Sequence, residues 1–465
     1  MAQRRGQIFG VVVTLVLAAV IAVVAFAATR AARGTAAPRP VVTSAPVPPP
    51  SVVPGSTQAP SGPTTSTTAG VPRPAAVAAA FGPALTAPAL GGSVHALVVD
   101  ASTGTALLNR TSTAMSPPAS TAKLATAGAV LAAVPATARL TTRVVAGARP
   151  GEVVLVGGGD PTLSAARAGA ATMYPGAARI TDLAAQITAD GIAPVTSVVV
   201  DGSVFAGAVT APGWAPEDVP SDYAAAITGL VVDGARPAAG GDERSATPDL
   251  EAGRALAIAL RRPDATVSRG VAPAGAAPLA TVRSAPVLDL VEQMLSGSDN
   301  VMAEMLARHL AAVSGQPPTF AGAVAAIRST LAAHGITVPA TLVDASGLSA
   351  RDRLSPAVLV ALLRAALTGT DPRLRQVVSA LPVAGWDGTL ATRYRVGTGA
   401  AAAGAVRAKS GTLTGVLTLA GLTRTKAGRP VIFAVMADRV PADGRFPAEA
   451  AVDRAIARLV TCACT

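Results

Sequence analysis

The chain has 465 residues, too many for one ordinary hydrophobic core, and predicts two domains or one domain with a large insertion. Half of it is hydrophobic, yet only 3% is aromatic, and of the formal charge of +11 six arginines in residues 1–99 account for +6, leaving +5 for the remainder. A nucleic-acid surface needs a concentrated basic face with stacking aromatics; neither is present, which excludes nucleic acid as a partner.

Arg4 and Arg5 precede an apolar run over residues 8–28, interrupted only by the mild Thr14. Its 21 residues are enough to span a bilayer and exceed the roughly 7–15 of a cleavable apolar core. Residues 1–33 therefore read as a membrane anchor. Small residues around Ala25 and Ala28 keep a signal segment open as the alternative, and Arg30 and Arg33 leave the orientation undecided. Residues 34–76 are rich in Pro, Ser and Thr and read as an extended linker. That layout suits a domain that reaches out from the cytoplasmic membrane to a polymer.

The folded part is expected from about Val77. A valine-rich strand over 94–100, a turn at Ser102-Thr103-Gly104 and a return over 105–109 make a hairpin. Pro117 and Pro118 break the chain, and Ser120 opens an Ala/Leu-rich helix to about Val134. Near the other end, strands are expected over 405–413, 416–424 and 430–437, then a helix over 448–460. The two ends thus supply an antiparallel sheet with flanking helices. Between them, strands at 153–156, 198–201 and 231–233 run into Asp-Gly or Gly-rich turns and suggest an inserted β-rich unit. The glycines at 157–159 lack the Lys-Ser/Thr of a phosphate loop and read as a tight turn.

Scarcity points to the chemistry. Of 38 Lys plus Arg, only Lys123, Lys409 and Lys426 are lysine, and Asn109 and Asn300 are the only asparagines. Lysine can lose its proton in a tuned environment and arginine cannot. Lys123 follows Ser120 by three residues, which on a helix places both on one face. A neutral lysine there can take the serine proton. Taken alone, Ser120 also suits a helix N-cap and Lys123 a surface charge. Ser298-Asp299-Asn300 precedes an apolar helical run, and Lys409-Ser410-Gly411-Thr412 lies within a strand, where glycine permits close approach of a ligand backbone. The series S-x-x-K, S-x-N, K-[ST]-G, in this order, is shared by penicillin-binding proteins and class A β-lactamases.

On these motifs the chain resembles the D-alanyl-D-alanine carboxypeptidases/endopeptidases of the class C low-molecular-mass penicillin-binding proteins, the DacB-like peptidase S13 family, in an actinobacterial style. The likeness extends over about residues 84–460 and includes the contexts GGGDPTL at 157–163, SDNVMAE at 298–304, DASGL at 344–348 and RAKSGTL at 407–413. The 178 residues from Ser120 to Ser298 fit that family, whose members carry extra domains there. The resemblance implies an α/β (α+β) serine β-lactamase/DD-peptidase-like transpeptidase domain, formed by residues 77–140 and 281–465, with an inserted domain at 141–280. It implies Ser120 as nucleophile, Lys123 as general base and Ser298 as proton relay. Asn300, Lys409, Ser410, Gly411 and Thr412 would bind substrate. Mutual repulsion of the two ammonium groups would help keep Lys123 neutral. Peptidoglycan peptides ending in D-Ala-D-Ala would be the substrates and β-lactams the traps, with no cofactor and no metal.

The other singled-out residues have plainer readings. Asp344 and Ser346 shape a turn near the cleft, and Asp160 is a turn residue. Trp214 and Trp386 are packing residues, although Trp386-Asp387-Gly388-Thr389 could line the cleft. His95, His309 and His334 are too scattered for a triad or metal site, and the Asn109-Arg110-Thr111 sequon is a chance match. Cys462 and Cys464 are too few for structural zinc and are open to pairing together, pairing between chains or staying free. The rival functions are a β-lactamase or esterase on the same fold, and a wall-binding scaffold with little turnover.

Overall fold

The computed structural model describes residues 70–189, 194–237, 241–339 and 341–465. The expected anchor over 1–33 and nearly all of the linker lie outside them. Among the described residues no helix is long and apolar enough to cross a membrane. The first helix starts before Val77: α1 spans Pro74–Phe81, with proline in its first turn, where no N–H is needed. Arg73 N donates to Cys464 O at 2.7 Å, so the entry of the folded unit is tied to the last residues of the chain. Cys462 and Cys464 are paired with each other.

Strands β1 (Val94–Asp100) and β2 (Ala106–Arg110) form the expected hairpin. The returning strand starts one residue later than the sequence suggested, because Gly104 and Thr105 serve the turn. A 3₁₀ turn over Ala119–Ala122 leads into α2, Lys123–Ala133. Every residue of α2 from Lys123 to Ala132 is buried, and its alanines and Gly128 let neighbouring helices pack closely on all sides.

Next come β3 (Thr141–Ala146), β4 (Glu152–Val156), α3 (Ile180–Ala189), β5 (Ser197–Asp201), α4 (Pro248–Ala259), β6 (Thr266–Arg269) and β7 (Pro278–Arg283). They build a sheet of order β6-β5-β4-β3-β7. Its β4–β5 and β5–β6 pairs are parallel, and the helices α3 and α4 in the crossovers share an apolar cluster with it. This unit is therefore mixed α/β rather than simply β-rich. Residues 231–233 are not a strand. Valine 231 and 232 are buried from a loop that ends in a 3₁₀ turn, and Asp233 N and Gly234 N donate to the carbonyls of Leu163 and Pro161.

The chain continues through α5 (Val287–Gly297), α6 (Asn300–Val313), α7 (Phe320–Ala332), α8 (Pro356–Thr368) and α9 (Pro372–Ser379). It closes with β8 (Arg407–Leu413), β9 (Val416–Arg424), β10 (Pro430–Ala437) and α10 (Arg445–Thr461). The first sheet is antiparallel with order β2-β1-β10-β9-β8, so β8 is an edge strand. Side chains alternate across it. Leu97, Val99, Ile432, Ala434 and Met436 face the large cluster with α2 and α5–α8, whereas Val98, Val431, Phe433 and Val435 face α1 and α10. Helices thus cover both faces, and β8 stands at the edge of the sheet.

Candidate active site

Pro118 and Ala119 aim the start of α2 at the edge of the first sheet. The carbonyl of Pro118 accepts from Thr121 Oγ1 at 2.6 Å and from Thr418 Oγ1 on β9 at 2.9 Å. Ala119 takes φ +46°, a left-handed conformation costly for a residue with a Cβ. Two glycines make room for it. A Cβ on Gly347 would collide with the Ala119 carbonyl, and one on Gly411 would lie 2.8 Å from Ser120 N. Gly411 therefore admits the backbone of Ser120 against β8.

Ser120 lines a cleft of about 700 Å³ together with Ser298, Asn300, Gly347, Ser410, Gly411 and Thr412, a volume suited to a small substrate. The three motifs converge on this cleft. Lys123 Nζ lies 2.9 Å from Ser120 Oγ, 2.5 Å from Asn300 Oδ1 and 2.8 Å from the Ser346 carbonyl. Lys409 Nζ donates to Ser298 Oγ at 2.9 Å and to the Ser410 carbonyl at 2.8 Å.

Both lysines are fully buried. Burial pushes Lys123 down to about 8, against the pull of the Asp344, Glu304 and Asp299 carboxylates. Burial first, and the neighbouring Lys123 second, push Lys409 well below its ordinary value. The mutual repulsion foreseen for the pair thus acts mainly on Lys409. Among the described residues no carboxylate is ion-paired with Lys409, so an arriving anion is what would favour its charged form.

The Ser298-Asp299-Asn300 segment is a junction between helices. Ser298 ends α5 at φ +57°, and Asp299 caps α6 by accepting from Met302 N at 3.0 Å. Asp299 also accepts from Arg244 Nη2 at 3.0 Å and from Tyr174 Oη at 2.8 Å, with Arg236 3.6 Å away. Burial raises the Asp299 carboxyl, but the two guanidiniums outweigh it and hold the group well below the usual carboxylate range. Asn300 Nδ2 donates to the Tyr223 carbonyl at 3.1 Å. Tyr174, Tyr223, Arg236 and Arg244 all lie between β4 and α4 in sequence, so that stretch of chain buttresses the second motif.

The DASGL context forms the floor. Asp344 Oδ1 accepts from Ser346 N and Gly347 N, its Oδ2 accepts from Ser349 N, and Glu304 accepts from Ala345 N and Ser346 N. These bonds hold the Ser346 carbonyl toward Lys123. Asp344 is the turn-shaping residue expected, and Asp160 likewise accepts from Thr162 N within its own turn. Trp214 packs edge-on against Phe320 and donates Nε1 to Asp344 Oδ2 at 2.8 Å. Trp386 is not a packing residue: it is 79% exposed and stands outside the cleft lining, while Thr389 of the same turn is inside it.

Sequence reasoning missed Glu304, Arg244 and Tyr223, whereas Thr389 belongs to the turn named as able to line the cleft. Glu304 had a signal, since it follows Asn300 by four residues and shares its helix face. Arg244 and Tyr223 are brought in from distant segments, and local sequence carries no mark of that.

A helix-start serine and lysine, facing an S-x-N junction and a K-[ST]-G edge strand over an antiparallel sheet, define the class of serine penicillin-recognising enzymes. The D-Ala-D-Ala carboxypeptidase 3 (S13) family model matches residues 77–240 and 238–459, and the chain belongs to that family. It is a serine-type D-Ala-D-Ala carboxypeptidase, a hydrolase of peptidoglycan peptides that acts outside the cytoplasm. Carboxypeptidase DacB of Mycolicibacterium smegmatis is 42% identical over 460 residues, covering 97% of this chain and 96% of the relative. A carboxypeptidase of Mycobacterium tuberculosis is 43% identical over 404 residues, 86% of each chain. Penicillin-binding protein 4 of Haemophilus influenzae superposes with a TM-score of 0.67 at 20% identity, covering 78% of this chain and 95% of that one, which shows the shared fold.

Proposed function

We propose that Ser120 is the nucleophile of this carboxypeptidase and Lys123 its general base. The observation that carries the assignment is the set of partners around Lys123 Nζ. A neutral amine has two N–H donors and one lone pair. Asn300 Oδ1 and the Ser346 carbonyl can only accept, so they take the two donors. The lone pair is left for the Ser120 hydroxyl, 2.9 Å away. The Asn300 amide faces Lys123 with its oxygen because its nitrogen donates to Tyr223 O.

Ser120 Oγ attacks the carbonyl carbon of the D-Ala-D-Ala bond and Lys123 takes its proton. The backbone N–H groups of Ser120 and Thr412 receive the oxyanion. Ser298 relays a proton to the departing D-Ala amine, and water then releases the acyl group from Ser120. Lys409 attracts the terminal carboxylate, assisted by the hydroxyls of Ser410 and Thr412. The second N–H of Asn300 holds the substrate's amide carbonyl. β-Lactams mimic the dipeptide and acylate the same oxygen; the Haemophilus protein has also been solved with a β-lactam bound.

Residues 141–280 are assigned as an inserted domain and 77–140 with 281–465 as the catalytic domain, a division supported by the separate sheet and apolar cluster of the former. Residues 8–28, outside the described residues, are assigned as an uncleaved membrane anchor on their length and apolarity. Alkaline extraction of membranes tests this: retention of the full chain supports an anchor, and release supports secretion.

Labelling with benzylpenicillin, followed by mass mapping, tests the nucleophile. The adduct is expected on the peptide holding Ser120 and nowhere else. An adduct on another serine would overturn the assignment. Fast turnover of the penicillin would favour a β-lactamase in place of a DD-peptidase.

A further inference from the structure

Residues 382–390 run along the outer edge of β8. Val383 pairs with Arg407, Ala384 N donates to Val406 O at 2.9 Å, and Ala408 N donates to Pro382 O at 3.1 Å. This segment covers the first part of the edge strand and leaves β8 open to the cleft from Ser410 onward. It then turns sharply. Asp387 Oδ1 accepts from Val383 N, and Gly388, at φ +54°, passes so close to Ser296 that a side chain there would strike its backbone. Leu390 is buried in the core on the far side of the turn. The turn is therefore fixed at both ends, and Thr389 stands exposed at its tip. Thr389 lines the cleft, and its Oγ1 lies 2.8 Å from Ser410 Oγ.

We propose that Thr389 is a positioning residue for carboxylate recognition, holding the Ser410 hydroxyl in one rotamer with its proton aimed into the cleft. The inference rests on the reading of β8 as the strand that takes the substrate's terminal carboxylate. A serine hydroxyl has a single proton to donate. If Ser410 spends it on Thr389, lone pairs face the anion; if Thr389 donates instead, the Ser410 proton is left for it. An anion selects the second arrangement, and a hydroxyl that accepts a hydrogen bond becomes a better donor. Ser410 and Thr412 are two residues apart on the strand, so their side chains fall on the same side at about 6.6 Å spacing. One carboxylate, accepting a hydrogen bond on each oxygen, bridges that distance.

The test compares acylation by benzylpenicillin, which bears a carboxylate, with acylation by its methyl ester, which does not. Second-order rate constants are read by mass spectrometry for wild type, Thr389→Val and Thr389→Ser. Thr389→Val is expected to react about tenfold more slowly with the acid and at an unchanged rate with the ester. Thr389→Ser is expected to match wild type with both. Equal losses for acid and ester, or no loss with either, would overturn the proposal. A wild type that is not acylated at all, or a Ser120→Ala variant that is, would instead overturn the reading beneath it and the proposal with it.

Discussion

The carbonyl of Tyr223 accepts a hydrogen bond from Asn300 Nδ2 at 3.1 Å, and this contact decides which end of the Asn300 amide meets Lys123. Tyr223 lies between β5 and α4 in sequence, far from any of the three motifs. The proton chemistry proposed for Ser120 thus depends on a backbone group from the stretch that separates the first motif from the second.

Asn300→Asp keeps the shape of that side chain and replaces its donor with a second acceptor. The carboxylate would meet the Tyr223 carbonyl unfavourably and would stabilise the charged form of Lys123. Acylation by benzylpenicillin at pH 7 is expected to fall at least about tenfold, and the pH at which the rate levels off should move upward. A rate loss without any move of the pH profile would mean that Asn300 acts on substrate alone.

Burial pushes Lys123 down to about 8, and only its neutral form can accept the Ser120 proton. The sign follows directly: acylation should rise about tenfold per pH unit below 8 and flatten above it. Lys123→Arg, which stays charged, should lose about 10²–10⁴-fold at every pH. A flat profile from pH 6 to 9 would remove Lys123 as the base.

Gly411→Ala would place a methyl group 2.8 Å from Ser120 N and 3.0 Å from the Ala119 Cβ. The strand or the serine turn must shift, at a cost of about 1–3 kcal/mol. A small displacement of a nucleophile can cost about 10²-fold in rate, so acylation should fall by far more than the population of folded protein. Thermal unfolding and acylation measured on the same samples separate the two effects.

Arg244→Met removes one guanidinium from a buried carboxylate. Arg244 lies 3.0 Å from Asp299, and its other nitrogens hold the carbonyls of Gly234 and Asp222. Breaking a buried pair from one side costs about 3–5 kcal/mol. Arg236 and Tyr174 still reach Asp299, so a loss near the lower limit is expected in denaturant unfolding. An unchanged midpoint would show that these two replace Arg244 fully.

The layout of the candidate site was legible because its residues are scarce and locally grouped. Ser120 and Lys123 share one helix face by their spacing alone, and Lys409 stands out in a chain that otherwise uses arginine. The first sheet was legible because β1, β9 and β10 are runs of buried apolar residues between clear turns. The second unit was harder. α3 buries Ile180, Leu183, Ala184 and Ile187 at i, i+3, i+4 and i+7, a helical signal that the strand-and-turn reading of this stretch passed over, and Val231 and Val232 imitate a strand although they are buried from a loop. Arg244 and Tyr223 act through contacts 55 and 77 residues away in sequence, and no local pattern encodes such contacts.

The most direct test of the account is release of free D-alanine from a peptide ending in D-Ala-D-Ala, by wild type and by Ser120→Ala of the folded unit from about residue 70. The account predicts steady release by wild type and none above background from the variant. Undiminished release by Ser120→Ala would contradict it, because the bond would then be cut without the oxygen on which all three motifs converge.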